Sequence, residues 1–310
     1  MIPIVGRFAP SPTGALHLGN LRTALIAWLS ARAAEGRFVV RMEDLDRVTS
    51  SLRHEADQLE ALAAIGVDHD GEVVRQSDRF ALYDAAIAQL AKAGRTYECF
   101  CTRREIRDAA QAPHTELAAD GAYPGTCRDL DHAGRAAHLA AGRRPAIRLL
   151  AGDELVEVVD ELRGPVVGRV DDVVLRRNDG VPAYNLAVVV DDALQQVSQV
   201  VRGDDLLSST PRQVLLQRLL GLPTPAYRHV PLVVGDDGVR LAKRHGAVTL
   251  GDLRERGIGA AAVLSMLAGS IGLAAPGEVV TAAQLVERFD PATLPREPWI
   301  LPADLQRSTE

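Results

Sequence analysis

The densest group of side chains able to do chemistry lies near the N-terminus, where Arg7-Phe8-Ala9-Pro10-Ser11-Pro12-Thr13-Gly14-Ala15-Leu16-His17-Leu18-Gly19-Asn20 follows a short apolar run. A proline- and glycine-rich turn between a strand and a helix brings open backbone N–H groups and the positive end of the helix dipole to one point, which favours phosphate. Gly19 lets a nucleotide approach the backbone, and the His17 imidazole can donate to phosphate oxygens as charge develops. His17 reads equally as a plain helix-start residue. Neither familiar phosphate loop fits: the chain has no Gly-Lys pair, and no G-x-G-x-x-G follows the strand.

A second group is built on sulfur. Cys99-x-Cys101 followed by Tyr123-x-x-x-Cys127 offers three thiolates and a phenol to a tetrahedral ion, for which zinc is the natural occupant. Cys-x-Cys can grip an ion from one strand end, and Pro124-Gly125 supplies the turn that returns Cys127 to it. On ligand chemistry alone His114 is the better fourth donor, and buried unreactive cysteines are the other reading. An odd set of three with a Cys-x-Cys start points to a metal site in the cytoplasm rather than to a disulfide framework. Only two of the 35 basic residues are lysines, Lys92 and Lys243, which singles out Lys243. Arg103, Arg104, Arg107, Arg143, Arg144 and Arg148 gather in or beside the cysteine segment, as phosphate contacts or as a solvated basic face.

The elements that must position these groups follow from pattern. Residues 4–9 read as a strand, 10–14 as a tight loop and 16–34 as a helix closed by Gly36. A strand over 37–42 follows, then helices over 51–65 and 78–93, the latter capped by Ser77. Alternating strands and helices predict βαβ units and a parallel sheet, hence an α/β fold. Residues 97–145 lose periodicity and read as an insertion carrying all three cysteines. Short strands are expected at 146–150 and 166–176, a turn at Asn178-Asp179-Gly180, and a doubly covered strand in the apolar run 187–190. A helix over 210–220, a strand over 230–234, a turn at 236–238 and the loop 240–246 come next, and the chain is mostly helical from Thr249.

Composition bounds the rest. At 310 residues the chain supports about two domains and a substantial core. It is 47% hydrophobic and 25% charged, with mean hydropathy near zero, too apolar for disorder and too charged for a polytopic membrane protein. A net charge of −6 rules out a surface that is basic throughout, so any RNA binding must use a local patch. Residues 257–277 lack charge, but Val263, Leu267 and Ile271 describe a buried helix face rather than a membrane span. The N-terminus meets Arg7 and two prolines before any export signal could form.

The first block closely resembles the "HIGH" signature of class I aminoacyl-tRNA synthetases, in the longer form of the glutamyl enzymes. The resemblance continues at Arg41-Met42-Glu43-Asp44-Leu45-Asp46, at the stretch from Tyr184-Asn185-Leu186 to Asp191-Asp192, at Arg202-Gly203-Asp204-Asp205, and at Arg240-Leu241-Ala242-Lys243-Arg244, where "KMSKS" belongs. Asn20 stands where the first signature ends in histidine, and Arg240 and Ala242 replace Lys and Ser in the second. The resemblance implies a Rossmann-like catalytic domain in two halves, 1–96 and 148–248, around a zinc-binding insertion, 97–147, with a small helical subdomain at 249–310. It implies that Arg7, Ser11, Glu43, Tyr184 and Arg202 line a pocket for L-glutamate. Glu43 would face the ammonium and an arginine the side-chain carboxylate, a natural division of charge for this amino acid. Outside the resemblance, Glu43 and Arg202 read as surface ion pairs. His17, Gly19 and Lys243 would bind ATP, delivered with Mg2+, and His17 and Lys243 would stabilise charge at its α-phosphate.

The cysteine cluster with tyrosine as fourth ligand is similar to that of the shortened glutamyl paralogues. Those enzymes esterify glutamate to the cyclopentene-diol of queuosine in the anticodon loop of tRNA(Asp). Only about sixty residues follow Leu250, so no anticodon-binding domain is expected, and the protein is expected to be a cytoplasmic monomer with no membrane partner. Two other functions fit less well: a truncated glutamyl-tRNA synthetase charging the 3′ end, and an inactive paralogue that only binds RNA.

Overall fold

The computed structural model describes residues 3–110, 123–239 and 248–306. His114, Arg240, Ala242 and Lys243 lie outside them, as does the side chain of Arg107.

The chain begins β1 (Val5–Phe8), α1 (Leu18–Arg32), β2 (Arg37–Met42), α2 (Leu52–Ala64), β3 (Val74–Arg75), with β1, β2 and β3 parallel neighbours in that order. Apart from Arg37, every residue of β1 and β2 is buried, as continuous apolar strands covered on both faces must be. α1 is buried on most of its circumference, which fits a central position between the sheet and the C-terminal helices. The return from α1 to β2 runs through Gly36, where a Cβ would lie 2.3 Å from the Ile4 carbonyl oxygen. Only glycine lets this turn press against β1.

After α3 (Phe80–Lys92) come β4 (Thr96–Cys99), α4 (Arg103–Ala110), α5 (His132–Ala140) and β5 (Ala146–Leu149). Then follow β6 (Leu155–Asp160), β7 (Gly164–Arg169), β8 (Val174–Arg176), α6 (Tyr184–Leu194), β9 (Gln199–Gly203), α7 (Thr210–Leu220), β10 (Ala226–Val230) and β11 (Val233–Val234). α8 (Leu250–Glu255), α9 (Ala260–Gly269), α10 (Ala282–Arg288), β12 (Trp299–Ile300) and α11 (Ala303–Gln306) complete the chain. β9, β10 and β6 are parallel neighbours with β7 antiparallel at their edge. The Ser198 N–H donates to the Val5 carbonyl at 3.0 Å, so β9 lies beside β1. From that seam the chain runs outward through β2 and β3 on one side and through β10 on the other. Such a reversal of strand order leaves a crevice at the carboxyl ends of β1 and β9, where ligands of open α/β sheets bind. A separate antiparallel sheet, β4-β5-β8, ends β4 in Cys99, and Cys101 and Cys127 lie close to it.

Four expectations need correction. The apolar run 187–190 lies inside α6, not in a strand; α6 is buried on nearly every side, so its valines carry no helical period to betray it. Ser77 does not cap α3: its hydroxyl and N–H bind the Asp44 carboxylate, and α3 starts at Phe80 with no side-chain cap. Residues 166–176 divide into β7 and β8, and β6 precedes them unforeseen. The strand expected at 230–234 is two strands, β10 and β11, broken at Pro231.

Candidate active site

At the crevice between β1 and β9, Arg7, Ser11, His17, Gly19, Glu43, Tyr184 and Arg202 line one cavity of about 390 Å³. His17 and Gly19 arrive together on the start of α1, and each of the others on a different segment. Arg7 leaves β1 with its guanidinium on the Val201 carbonyl at 3.1 Å. The turn bearing Ser11 is pinned by Gln58 of α2, whose amide donates to the carbonyls of Ser11 and Gly14. Glu43 follows β2, its N–H on the Pro10 carbonyl at 2.9 Å, and Tyr184 opens α6.

His17 is the N-cap of α1. Its Nδ1 accepts from the Asn20 N–H at 3.2 Å while the Asn20 side-chain oxygen accepts from the His17 N–H at 3.2 Å. Asn20, which departs from the first signature, is therefore the reciprocal member of a capping box. With Nδ1 an acceptor, the neutral ring carries its proton on Nε2. A Cβ at position 19 would stand 2.9 Å from the His17 Cε1, so Gly19 also makes room for the imidazole.

The charges behind the cavity were only partly visible in sequence. Arg41, wholly buried, donates to Asp192 at 2.8 Å, to Gln195 at 2.8 Å and to Glu43 at 3.3 Å, and lies 3.8 Å from Asp191. Asp191 also accepts from Tyr83 and Arg79, each at 2.7 Å. Arg7 lies 3.7 Å from Asp192. Burial pushes the Glu43 carboxyl up to about 6 against the pull of Arg41 and Arg7. Burial and the neighbouring Glu43 also raise the Tyr184 phenol, which stays neutral.

Arg202 is buried rather than paired at the surface. Its Nε donates to His229 Nε2 at 2.9 Å and its terminal nitrogens to Gln213 at 2.8 Å, Thr210 at 2.9 Å and the Leu206 carbonyl at 3.4 Å. No local motif marks these partners in the sequence: Thr210 and Gln213 fall in a stretch that reads only as a helix, and His229 falls just before the strand expected at 230–234.

The described residues that follow the second signature are tied to the first. The Val248 carbonyl accepts from the Leu18 N–H at 2.9 Å, and Thr249 bridges to His17. On the other side the Gly235 N–H closes a turn on the Val239 carbonyl just after β11, and Val233 lines the cavity.

The Sγ atoms of Cys99, Cys101 and Cys127 lie within 4.8 Å of one another, a grouping able to hold a metal ion. The Tyr123 hydroxyl sits 3.3 Å from Cys99 Sγ and 3.6 Å from Cys101 Sγ, fixed by the Cys127 N–H at 2.8 Å. A second cavity of about 690 Å³ runs from this cluster to the first, sharing Ser11, Glu43 and Tyr184, with Arg103, Arg144 and Arg177 on its walls. Arg148, grouped above with Arg103 and Arg144, also lines this cavity but is largely buried, stacked 3.7 Å over the Tyr123 ring and donating to the Asp172 carbonyl. Arg143 is paired with Glu105. Among the described residues no helix is long and apolar enough to cross a membrane.

The profile of the class I tRNA synthetase (E and Q) catalytic domain matches residues 3–304, and the chain belongs to this family. Within it, the chain is 61% identical over 296 residues to the Glutamyl-Q tRNA(Asp) synthetase of Nocardia farcinica, spanning 96% of this chain and 92% of that one. It is 49% identical to the Glutamyl-Q tRNA(Asp) synthetase of Symbiobacterium thermophilum, over 97% of each chain. The crystal structure of a glutamate tRNA ligase from Elizabethkingia meningosepticum in complex with its amino acid superimposes with a TM-score of 0.83 at 28% identity. That match covers 98% of this chain and 68% of that one.

Proposed function

We infer that this chain activates L-glutamate with ATP, without tRNA, and transfers the glutamyl group to queuosine in the anticodon loop of tRNA(Asp). The observation that carries the reading is the convergence of Arg7, Glu43, Tyr184 and Arg202 with His17 in one switch-point cavity, in a chain closely similar to proteins of that name. Glu43 holds the ammonium and a buried arginine the side-chain carboxylate, leaving the α-carboxylate to attack the ATP α-phosphorus in line as pyrophosphate departs. His17 donates through Nε2 and Lys243 through its ammonium to the phosphate oxygens as charge builds, so catalysis is positioning and electrostatics. A queuosine diol hydroxyl entering by the second cavity then attacks the adenylate carbonyl and expels AMP. Incubation with ATP, labelled glutamate and queuosine-bearing tRNA(Asp), followed by nuclease mapping, is expected to locate label in the anticodon loop. Label confined to the 3′ end would favour a truncated glutamyl-tRNA synthetase.

Because Glu43 binds an ammonium only as a carboxylate, and in the fold it protonates near pH 6, acid should weaken substrate capture. The kcat/KM for glutamate is expected to fall by up to about tenfold per pH unit below 6. A flat profile between pH 5 and 7 would remove Glu43 from the ammonium site.

The cysteine cluster fits zinc by donor chemistry: three thiolates and a phenol, brought together at the end of β4, close four positions and suit a structural ion that stiffens the insertion. The purified protein is expected to carry one zinc per chain, and Tyr123→Phe to lose it more readily under chelation. Unchanged retention in Tyr123→Phe with loss in His114→Ala would assign the fourth ligand to His114.

A further inference from the structure

Arg202 differs from the other buried arginines of the site in the kind of group that holds it. Arg41 faces Asp191, Asp192 and Glu43, and Arg7 lies against Asp192. The side chain of Arg202 meets an imidazole, an amide oxygen, a hydroxyl and a backbone carbonyl, and among the described residues it has no carboxylate partner.

We propose that His229, oriented by Asp160, is a positioning residue that with Gln213 and Thr210 forms an uncharged cradle for Arg202, and that this cradle reserves the arginine's charge for the side-chain carboxylate of the substrate. The proposal rests on the glutamate-activating part of the function above and deepens it by naming what sets preference for a carboxylate over an amide.

The hydrogen-bond polarity leaves little freedom. An arginine Nε–H can only donate, so His229 Nε2 must accept and the ring proton must sit on Nδ1. That nitrogen lies 2.6 Å from Asp160 Oδ2, and both side chains are fully buried. Asp160 is itself saturated by donors: its oxygens accept from the backbone N–H groups of Leu162, Arg163 and His229. Burial raises its carboxyl, but these bonds and the one from His229 outweigh that and hold it below the usual carboxylate range. Burial, with Arg202 close by, depresses the His229 imidazole and keeps it neutral. The dyad thus presents a lone pair, not a charge, to Arg202. A carboxylate in that place would neutralise the guanidinium before the substrate arrived, and glutamine would then be held nearly as well as glutamate.

Gln213→Glu is the sharpest test. It keeps the shape of a side chain that accepts from Arg202 at 2.8 Å and adds one negative charge. Its cost is the loss of the donor to Asn185. In tRNA-free exchange of pyrophosphate into ATP, and in calorimetric titration with L-glutamate, the variant is expected to raise KM and Kd for glutamate at least tenfold with kcat changed less than threefold. The glutamate-to-glutamine ratio should fall by a similar factor. His229→Leu should do the same, and His229→Gln, whose amide oxygen can take the place of Nε2, should recover most of the loss. Folded Gln213→Glu with wild-type glutamate affinity and discrimination would overturn the proposal. So would equal losses in His229→Leu and His229→Gln, or losses confined to kcat. Neither readout involves tRNA, so an error in the acceptor nucleoside leaves these outcomes unchanged and is distinguishable from failure of the cradle.

Discussion

Lys243→Ala and His17→Ala are each expected to slow glutamate-dependent exchange of pyrophosphate into ATP by about a hundredfold or more, the magnitude typical of a lost donor to developing charge. The chain that precedes Lys243 leaves β11 at the rim of the cavity, and the chain that follows it is hydrogen-bonded to the first turn of α1. Of the described residues flanking the second signature, Val248 and Thr249 are therefore joined to the start of α1 beside His17, and Val233 lines the same cavity. His17 has a second task, since its Nδ1 caps α1, and removing a cap costs about 1 kcal/mol of stability. His17→Asn separates the two: an asparagine oxygen still caps the helix, but no Nε2 proton remains for phosphate. It should unfold like the wild type and exchange as poorly as His17→Ala. Wild-type exchange by a folded Lys243→Ala protein would remove the lysine from the mechanism.

Arg41→Met should cost about 3–5 kcal/mol of stability in urea unfolding, the range for breaking one side of a buried ion pair. Arg41, Asp191 and Asp192 are all buried, and the substitution strands two carboxylates at the base of α6 with only Arg79 and the more distant Arg7 as counter-charges. Glu43 would lose its anchor as well, so glutamate affinity should drop with stability. A loss below about 1 kcal/mol would mean that Asp191, held by Arg79, Tyr83 and Gln76, and Asp192, beside Arg7, need no support from Arg41.

The front half of the fold was legible because its signals are local. The β1-turn-α1-β2 unit follows from an apolar run, a Pro-Ser-Pro-Thr-Gly turn and the punctuation of Gly36, and the structure agrees to within two residues. The cavity residues were legible through the signature blocks, and all the described ones meet. The valines of α6 misled because a helix buried all round loses the period that distinguishes it from a buried strand. The Asp160–His229–Arg202 chain was illegible for a different reason. It joins β6, β10 and β9 across 69 and 27 positions of sequence, and only the parallel pairing of those strands makes them neighbours. The burial of Arg148 was illegible because clustering in sequence says nothing about it: its place in β5 turns it onto Tyr123 at the wall of the second cavity, so it is no part of a solvated face.

The most direct test of the account compares two tRNA(Asp) preparations that differ only in the anticodon base, one with queuosine and one with unmodified guanosine, in transfer of labelled glutamate at fixed salt. The account predicts label on the queuosine form alone, located in the anticodon loop and surviving destruction of the 3′ diol. Equal transfer to the guanosine form, or transfer that requires an intact 3′ end, would contradict it.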